Sequence, residues 1–420
     1  MSVPRYFYIF LFVSTYFWQS HLMAQDNTSD PLPQYLELAA KNNPGLKSKF
    51  NDYLAAMEEI PQAESLPDPT LAFNIFVQPV ETRVGPQRVS LAVSQSFPWF
   101  GTLKAQGDVA ATMAEAKLKA FENEKVKLYK EVRMTYNQLY YLDKSILLTE
   151  ENLKLLASFK ELARVNFESG KTGFVNVLRV EMEEEELRVK LAALKDRQSA
   201  SLVAFENLLN QPLSEPITFP ETLPTEALPD DKQALYDNIV AQNLKLQELQ
   251  YQSTAQDDAM QLAQLKSKPS FTVGASYINT GERSDIELPD NGQDAFVFPQ
   301  IGLSIPLYRK KYQAMSKQAS LRKESIQFQM EEKTNNLATQ LEMFITDHLD
   351  AQRRLQLYAR LYDLSERSLS LLQTEFTTGK TDFEELLRME RKLLSYQLEL
   401  EKARVDNNDA VYNINYLLGK

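Results

Sequence analysis

Four short segments of the chain alternate apolar and polar residues, a pattern that predicts β-strands at 70–78, 88–97, 270–279 and 297–306. In the second segment, Val89, Leu91 and Val93 point one way, and small residues such as Ser90 and Ala92 lie between them. An apolar face opposite a small, polar face is typical of a transmembrane β-barrel with lipid outside and water inside. A sheet that covers a soluble core is the alternative, but its wet face would normally carry larger or charged residues.

Between and after these segments the pattern is helical. Residues 102–168 contain no Pro and predict one helix roughly 100 Å long at ~1.5 Å per residue, and residues 310–378 repeat it. Gly170 and Gly379 follow these stretches as C-terminal caps. Return helices are predicted at 172–209 and 381–418, so each long helix belongs to an antiparallel coiled hairpin with its tip at the glycine.

The chain contains two copies of one unit. Residues 167–179 (FESGKTGFVNVLR) match residues 376–388 (FTTGKTDFEELLR) at an offset of 209, and residues 96–100 match 304–308 at an offset of 208. The first repeat is expected at 25–210 and the second at 232–420, joined by a Pro-rich linker at 211–231. Each holds a helix (33–64 in the first), two strands, a long helix, a tip (168–173 and 377–382) and a return helix.

Four strands cannot close a barrel, and an open edge in lipid is prohibitive, so several chains must share one barrel.

The N-terminus predicts an export signal at 1–24 with cleavage after Ala24. Arg5 precedes an apolar run, Tyr6 to Trp18, of about 13 residues, which is short of the ~20 that span a bilayer as a helix. The mature chain is therefore expected to be periplasmic, secreted or inserted as a β-barrel.

Charge and composition exclude several classes of protein. The chain has 46 Lys and Arg against 57 Asp and Glu, a formal net charge of −11, which argues against a nucleic-acid binder. There is no Cys, and the two His residues are His21, within the signal, and His348, so no transition-metal site is predicted. Gly-Lys-Thr occurs twice, but Val165 and Thr374 stand where a phosphate loop needs its first glycine. No catalytic residue or cofactor is expected, His348 is interpreted as a packing or surface residue, and the glutamates of residues 181–186 as a solvated helix face.

Together these features resemble the TolC family over nearly the whole mature chain. The residues that carry the resemblance are Phe167-x-x-Gly170-Lys171-Thr172, Phe376-x-x-Gly379-Lys380-Thr381, the strand–helix junctions at Pro98, Trp99 and Pro306, and Asn42-Asn43-Pro44. The resemblance implies an α+β membrane protein: a homotrimer with a 12-stranded barrel in outer-membrane lipid, continuous with a helical barrel crossing the periplasm. It also implies docking to a periplasmic adaptor (membrane fusion) protein, coupled to an inner-membrane pump, for which the resistance-nodulation-division type is one candidate.

The resemblance also nominates site residues. The adaptor-docking tips would be Gly170, Lys171, Thr172, Gly379, Lys380 and Thr381, although the glycines are also needed simply to reverse the chain. Six residues past each tip glycine the family often carries pore-closing acids; here those positions are Asn176 and Glu385. Glu385 would supply one carboxylate per protomer. Three residues depart from the family pattern. Asn176 replaces the acid at the first tip, Thr381 stands where a latch arginine is expected, and Arg388 stands where a second acid is expected.

The function implied is a passive exit duct of a tripartite efflux system. Residues 66–101 resemble members associated with heavy-metal efflux, while multidrug efflux and type I protein secretion remain open. The alternative of a different class is a periplasmic coiled-coil scaffold without a pore.

Overall fold

A computed structural model describes residues 31–228, 231–377 and 382–420, so the signal predicted at 1–24 lies outside the described residues. Its elements follow the same order in both halves. The first half contains α1 (Leu32–Asn42), α2 (Pro44–Glu64), β1 (Thr70–Thr82), β2 (Gly85–Phe97), α3 (Thr102–Glu168) and α4 (Val175–Leu209). The second half contains α5 (Lys232–Gln242), α6 (Leu244–Lys266), β3 (Ser270–Thr280), β4 (Ala295–Ser304), α7 (Arg309–Thr377) and α8 (Phe383–Leu417).

The expected single helix at 33–64 is wrong, because the chain forms two helices separated at Asn43. Pro44 has no N–H, and its ring disfavours a helical conformation at the residue before it. Asn43 accordingly adopts φ −59° and ψ 123°, and its side chain caps α2 by accepting a hydrogen bond from the Leu46 N–H at 3.0 Å.

Asn43 and Asn243 hold stacked helices together at equivalent places in the two halves. Each caps the helix that follows it, and each also donates from its side-chain amide to a carbonyl near the end of a return helix. Asn43 donates to the Leu208 oxygen at 3.1 Å, and Asn243 donates to the Leu417 oxygen at 3.0 Å. Helix α2 therefore sits end to end on α4, and α6 on α8.

The protomer is a strip one layer thick. The sheet has the order β1-β2-β3-β4 with every pair antiparallel. In the half of the helical region near the sheet, α3 lies between α2 and α6, and α7 packs on α6; in the half near the tips, α3 contacts α4 and α8, and α7 packs on α8. One long edge of the strip is thus formed by β1, α2 and α4, and the other by β4 and α7.

The linker is fastened to the helices. Phe219 packs on Tyr136 and Tyr140 with ring centroids 5.2 and 6.1 Å away. The Leu223 N–H donates to the Tyr140 hydroxyl at 3.1 Å, and Asn408 donates to the Pro224 carbonyl at 2.7 Å. The segment crosses α3 and α8 and fixes one half of the strip against the other. Among the described helices, none is both long enough and apolar enough to cross a membrane.

Candidate functional site

One face of the sheet is apolar across all four strands. Strand register aligns two rows of side chains on it: Phe73–Leu91–Tyr277–Phe296 and Phe97–Phe271–Leu303. The four residues of the first row are 45 to 70% exposed in the single chain. The face therefore covers no core formed by the described residues, and such a contiguous exposed apolar surface is expected against lipid or another protein.

The opposite face carries small residues, as the alternation predicts. Its rows include Thr70–Ser94–Gly274–Gln300 and Ala72–Ala92–Ser276–Val297. A Cβ atom on Gly274 would lie 2.7 Å from the Val93 carbonyl oxygen, so only glycine fits between these strands. A face built mainly of short side chains leaves room for water and suits the inside of a narrow pore.

Aromatic residues mark both ends of the apolar face. Next to the helices, Trp99 and Phe100 pack on Phe271 with ring centroids 5.8 and 6.2 Å away. Near the other end Tyr277 pairs with Phe296. Tyr277 lies six positions after Phe271, or roughly 20 Å at ~3.3 Å per residue, close to the height of the apolar band in outer-membrane barrels. The predicted junction residues Pro98, Trp99 and Pro306 line one cavity of about 700 Å³ where strands pass into helices.

The first tip is a tight turn between α3 and α4. Gly170 has φ +69°, a left-handed conformation that favours glycine, and the N–H groups of Lys171 and Thr172 donate to the Asn166 carbonyl at 2.9 and 3.3 Å. The predicted docking residues Gly170, Lys171 and Thr172 thus form the turn, and Lys171 is exposed.

The second tip lies largely outside the described residues, including Gly379, Lys380 and Thr381. On either side of it, Phe376 and Phe383 pack with ring centroids 5.1 Å apart and are 6% and 0% exposed. Their equivalents at the first tip, Phe167 and Phe174, are 5.2 Å apart but 43% and 48% exposed. The second pair is covered because Phe383 also packs on Phe159 of α3, 6.5 Å away. The two halves share one tip motif with opposite exposure.

The two candidate pore residues differ in their surroundings. Asn176 is 7% exposed and accepts a hydrogen bond from Arg179 at 3.3 Å, so within the chain it serves packing. Glu385 has a half-exposed side chain and forms an ion pair with Arg388, one helical turn away. The arginine that departs from the family pattern therefore neutralises the carboxylate next to it.

A buried acid that the sequence reasoning missed lies one turn farther from the tip. Glu390 on α8 is 1% exposed, and burial, reinforced by Glu183 on α4, raises the pKa of its carboxyl group to about 8. Arg391 opposes this and pairs with Glu183 at 3.7 Å. Only the placement of α8 against α4 brings these groups together, and no local motif in the sequence signals it.

The interpretation of residues 181–186 as a solvated face is wrong for part of the run. Glu184 is 6% exposed and pairs with Lys160 of α3 at 3.2 Å, because α3 and α4 pack closely here. Glu185 and Glu186 are exposed as expected. His348 is 4% exposed and lies 3.0 Å from the Gln352 amide, consistent with a packing role. Over residues 31–228, 231–377 and 382–420, no group of three acidic, His or Cys side chains could hold a metal ion.

Solved structures with the same fold are outer-membrane channels. CusC has a TM-score of 0.77 and 16% identity over 93% of this chain and 92% of that one; its crystal structures concern folding and transmembrane channel formation. VceC of Vibrio cholerae has a TM-score of 0.73 and 17% identity over 92% and 96% of the two chains. The open state of the Neisseria gonorrhoeae channel MtrE has a TM-score of 0.72 and 17% identity over 93% and 89%.

None of the curated protein sequences is significantly similar to this chain. The outer membrane efflux protein family model, however, matches residues 36–211 and 235–420, which is most of both repeats. This match and the shared fold confirm the resemblance seen in the sequence and make the protein a channel rather than an enzyme. The chain belongs to the outer membrane efflux protein family.

Proposed function

We propose that the protein is the exit duct of a tripartite efflux system, a homotrimer that sits in the outer membrane and extends through the periplasm. The observation that carries the proposal is the two-faced sheet, apolar on one side and small and polar on the other, continuous with helices of 67 and 69 residues. Apolar side chains face lipid, small polar ones face a wet pore, and the helical hairpins prolong that pore.

The unpaired edges of the sheet support assembly. In the part of the chain that the structure describes, strands β1 and β4 each pair with a neighbour on one side only. Unpaired N–H and C=O groups in lipid cost several kcal/mol each, so a spanning sheet must close. Pairing β4 of one copy with β1 of the next closes it, and three copies give twelve strands.

The repeat predicts the matching contact between helices. Leu387 and Leu398 of α8 are 3% and 9% exposed where α8 faces the first hairpin. Their equivalents on α4, at the offset of 209, are Leu178 and Val189, which are 44% and 70% exposed. The free edge of α4 thus keeps the apolar character of an interface, and α7 of the neighbouring copy is the helix that would cover it.

At the far end, the tips are proposed to dock the periplasmic adaptor. The exposed pair Phe167 and Phe174 beside Lys171 offers an apolar contact at the first tip. Gly379, Lys380 and Thr381 are proposed for the second tip on the sequence motif alone. Energy would come from an inner-membrane pump, with the resistance-nodulation-division type as first candidate.

Two neighbouring residues on opposite faces of β1 test the duct against the alternative of a periplasmic scaffold. Leu71→Arg places a charge on the lipid-facing side, in the row Leu71–Val93–Ala275 between the aromatic ends of the face, where it costs about 2–4 kcal/mol near the bilayer midplane. Ala72→Arg places the same charge on the pore side. The duct predicts that only the first variant loses the heat-modifiable trimer from the outer-membrane fraction. A wild-type protein that is a soluble periplasmic monomer would overturn the proposal.

For the substrate we propose heavy-metal cations, on the resemblance of residues 66–101 to family members that serve metal pumps. Growth of a strain lacking the protein on copper, silver, zinc, cobalt, bile salts, dyes and antibiotics tests this. Sensitivity confined to metal ions supports it. Sensitivity to dyes and antibiotics points to multidrug efflux. No change under any condition leaves redundancy or a secretion role, and it counts against efflux more than against the channel.

A further inference from the structure

The two free edges of the strip carry opposite charge in the half of the helical region near the sheet. Residues 50–69, which include most of α2, contain five acids and no Lys or Arg. The first 15 residues of α7, 309–323, contain six Lys or Arg and no acid. In a chain with a net charge of −11, this basic segment stands out.

Most of these charges have no ion-pair partner among the described residues. Glu58 and Glu59 on α2 are exposed, as are Lys317 and Arg322 on α7, and none of the four forms an ion pair with any described residue. Other charges on the same helices are already used. Lys323 pairs with Asp257 of α6 at 2.7 Å, and Glu64 lies against Gly107 of α3.

The internal repeat shows which of the free charges would meet. Within the chain, α3 packs on α6, and Thr112 of α3 donates to Asp258 of α6 at 2.8 Å. The equivalent of α3 is α7, offset by 208, and the equivalent of α6 is α2, offset by 200. The contact Thr112–Asp258 therefore corresponds to Ser320 on one free edge and Glu58 on the other.

A second pair inside the chain agrees with the same correspondence. Asp257 and Lys323, which pair across α6 and α7, map onto Met57 and Glu115 across α2 and α3. Met57 and Glu115 do line one cavity together. The repeat thus preserves which face of each helix meets its neighbour.

We infer that Glu58 and Glu59 of one protomer form an ion-pair seam with Lys317 and Arg322 of the next, next to a Glu58–Ser320 contact. The inference rests on the proposed assembly and specifies how its subunits recognise one another. Lys317 and Arg322 lie within one helical turn of Ser320, inside the reach of their long side chains. Exposed Leu54 on α2 and Leu321 on α7, 43% and 51% exposed, supply the apolar contact beside it.

The seam also selects the kind of assembly. Pairing α2 with α2, or α7 with α7, would place like charges together and disfavours a two-fold dimer. Pairing α2 with α7 joins opposite edges head to tail, and such an interface forms a ring when the rotation between copies closes. The occupant of each edge is therefore a second copy of this chain.

A disulfide experiment tests the register, because the chain has no cysteine of its own. Glu58→Cys with Ser320→Cys is expected to link neighbouring protomers under oxidation, giving dimer and trimer bands and nothing larger. The matched control is Thr112→Cys with Asp258→Cys, which has the same geometry within one chain and should form a disulfide without a gain in mass. Each single cysteine variant should stay uncrosslinked.

Charge reversal tests the seam itself. Glu58→Lys with Glu59→Lys is expected to lose most of the heat-modifiable trimer, as is Lys317→Glu with Arg322→Glu, and all four changes in one chain should restore it. The inference is overturned if wild type is trimeric, the control pair crosslinks, and the Glu58/Ser320 cysteines do not. It is also overturned if either charge reversal leaves the trimer unchanged. Monomeric wild type would overturn the proposed assembly as well, so the two failures are distinguishable.

Discussion

The buried carboxyl group of Glu390 gives the tip-proximal helices a specific pH response. Burial raises its pKa from 4.5 to about 8, so between these values the folded protein holds a proton that the unfolded chain has lost. The free energy of unfolding must then fall as pH rises through this window. Glu390→Gln keeps the shape and removes the titration. We expect the thermal midpoint of the wild type to drop from pH 5 to pH 8, and that of the variant to drop much less.

Asp409 provides an internal check on this prediction. Burial raises its pKa to about 7, while the Asn137 amide that bonds it at 2.8 Å lowers it. Its titration also lowers stability as pH rises. Glu390→Gln should therefore leave part of the fall of the thermal midpoint with pH, and Asp409→Asn should remove another part. Exposed Glu185 supplies the matched control. If Glu185→Gln and Glu390→Gln give the same pH profile, the slope does not come from Glu390.

At the residue scale, sequence patterns predict side-chain orientation on the sheet better than they predict burial of charge. The alternation around Leu91 and Val93 places apolar and small residues on opposite faces, and the register confirms it. The burial of Glu390 could not be predicted from the repeat, because the equivalent acid in the first repeat, Glu181, is only half-buried. Which of two equivalent acids is covered depends on the hairpin packed against it.

At the scale of elements, the joints between stacked helices depend on two asparagines with unequal burial. Asn243 is 4% exposed, whereas Asn43 is half-buried and closer to solvent. Replacing either by Ala removes a helix cap, at about 1 kcal/mol, and leaves a return-helix carbonyl without its donor. We expect Asn243→Ala to lower the free energy of unfolding more than Asn43→Ala, because water can reach the joint at Asn43. The free energy of unfolding of Asn243→Ser should fall between those of the wild type and Asn243→Ala, since serine keeps the cap and loses only the bond to Leu417. Denaturant titration measures all three variants. Equal losses for the two Ala variants would contradict the argument.

The two phenylalanine pairs at the tips offer a matched comparison. Phe376→Ala empties a buried site and should cost about 3–5 kcal/mol of unfolding free energy. Phe167→Ala, the same change at the equivalent position, should cost much less because Phe167 is 43% exposed. Assembly should not reverse this order, since the position equivalent to Phe159 on α7 is Ser368, which offers no ring. Thermal unfolding of both variants measures the difference, and equal shifts would show that the first tip is covered in the assembled protein.

Element boundaries are predicted well where a single physical signal ends them and poorly where two signals conflict. The long helix at 102–168 is confirmed, because a glycine lies at each end and no proline interrupts it. The first strand is longer than 70–78 and continues to Thr82, because its pairing with β2 shifts register between Ile75 and Val80, around Pro79, and then resumes. The fourth strand is shifted to Ala295–Ser304 from the predicted 297–306.

At the scale of the whole molecule, the architecture of the protomer can be predicted from the sequence repeat, since two copies of one unit make one strip of helices and strands. Contacts between protomers are harder to predict. They depend on which edge meets which, and residues such as Glu58 and Lys317 look like ordinary surface charges until the equivalent contact inside the chain is known. The placement of the tip acids relative to a pore likewise requires the assembled ring.

Ion selectivity is the property in which that ring should act as one unit. Each protomer would contribute Glu385 to the closed end, but Arg388 pairs with it one turn away, so the net charge of the ring is small. We expect Arg388→Gln to unmask three carboxylates and raise the preference for cations, and Glu385→Gln to unmask three guanidinium groups and shift the preference toward anions. Reversal potentials across planar bilayers measure both, and the difference should grow at low salt, where the screening length lengthens from ~10 Å at 0.1 M to ~30 Å at 0.01 M. Glu185→Gln, on an exposed helix face, serves as the control. Identical reversal potentials for all three variants at both salt concentrations would place Glu385 outside the conducting path and leave the constriction to other residues.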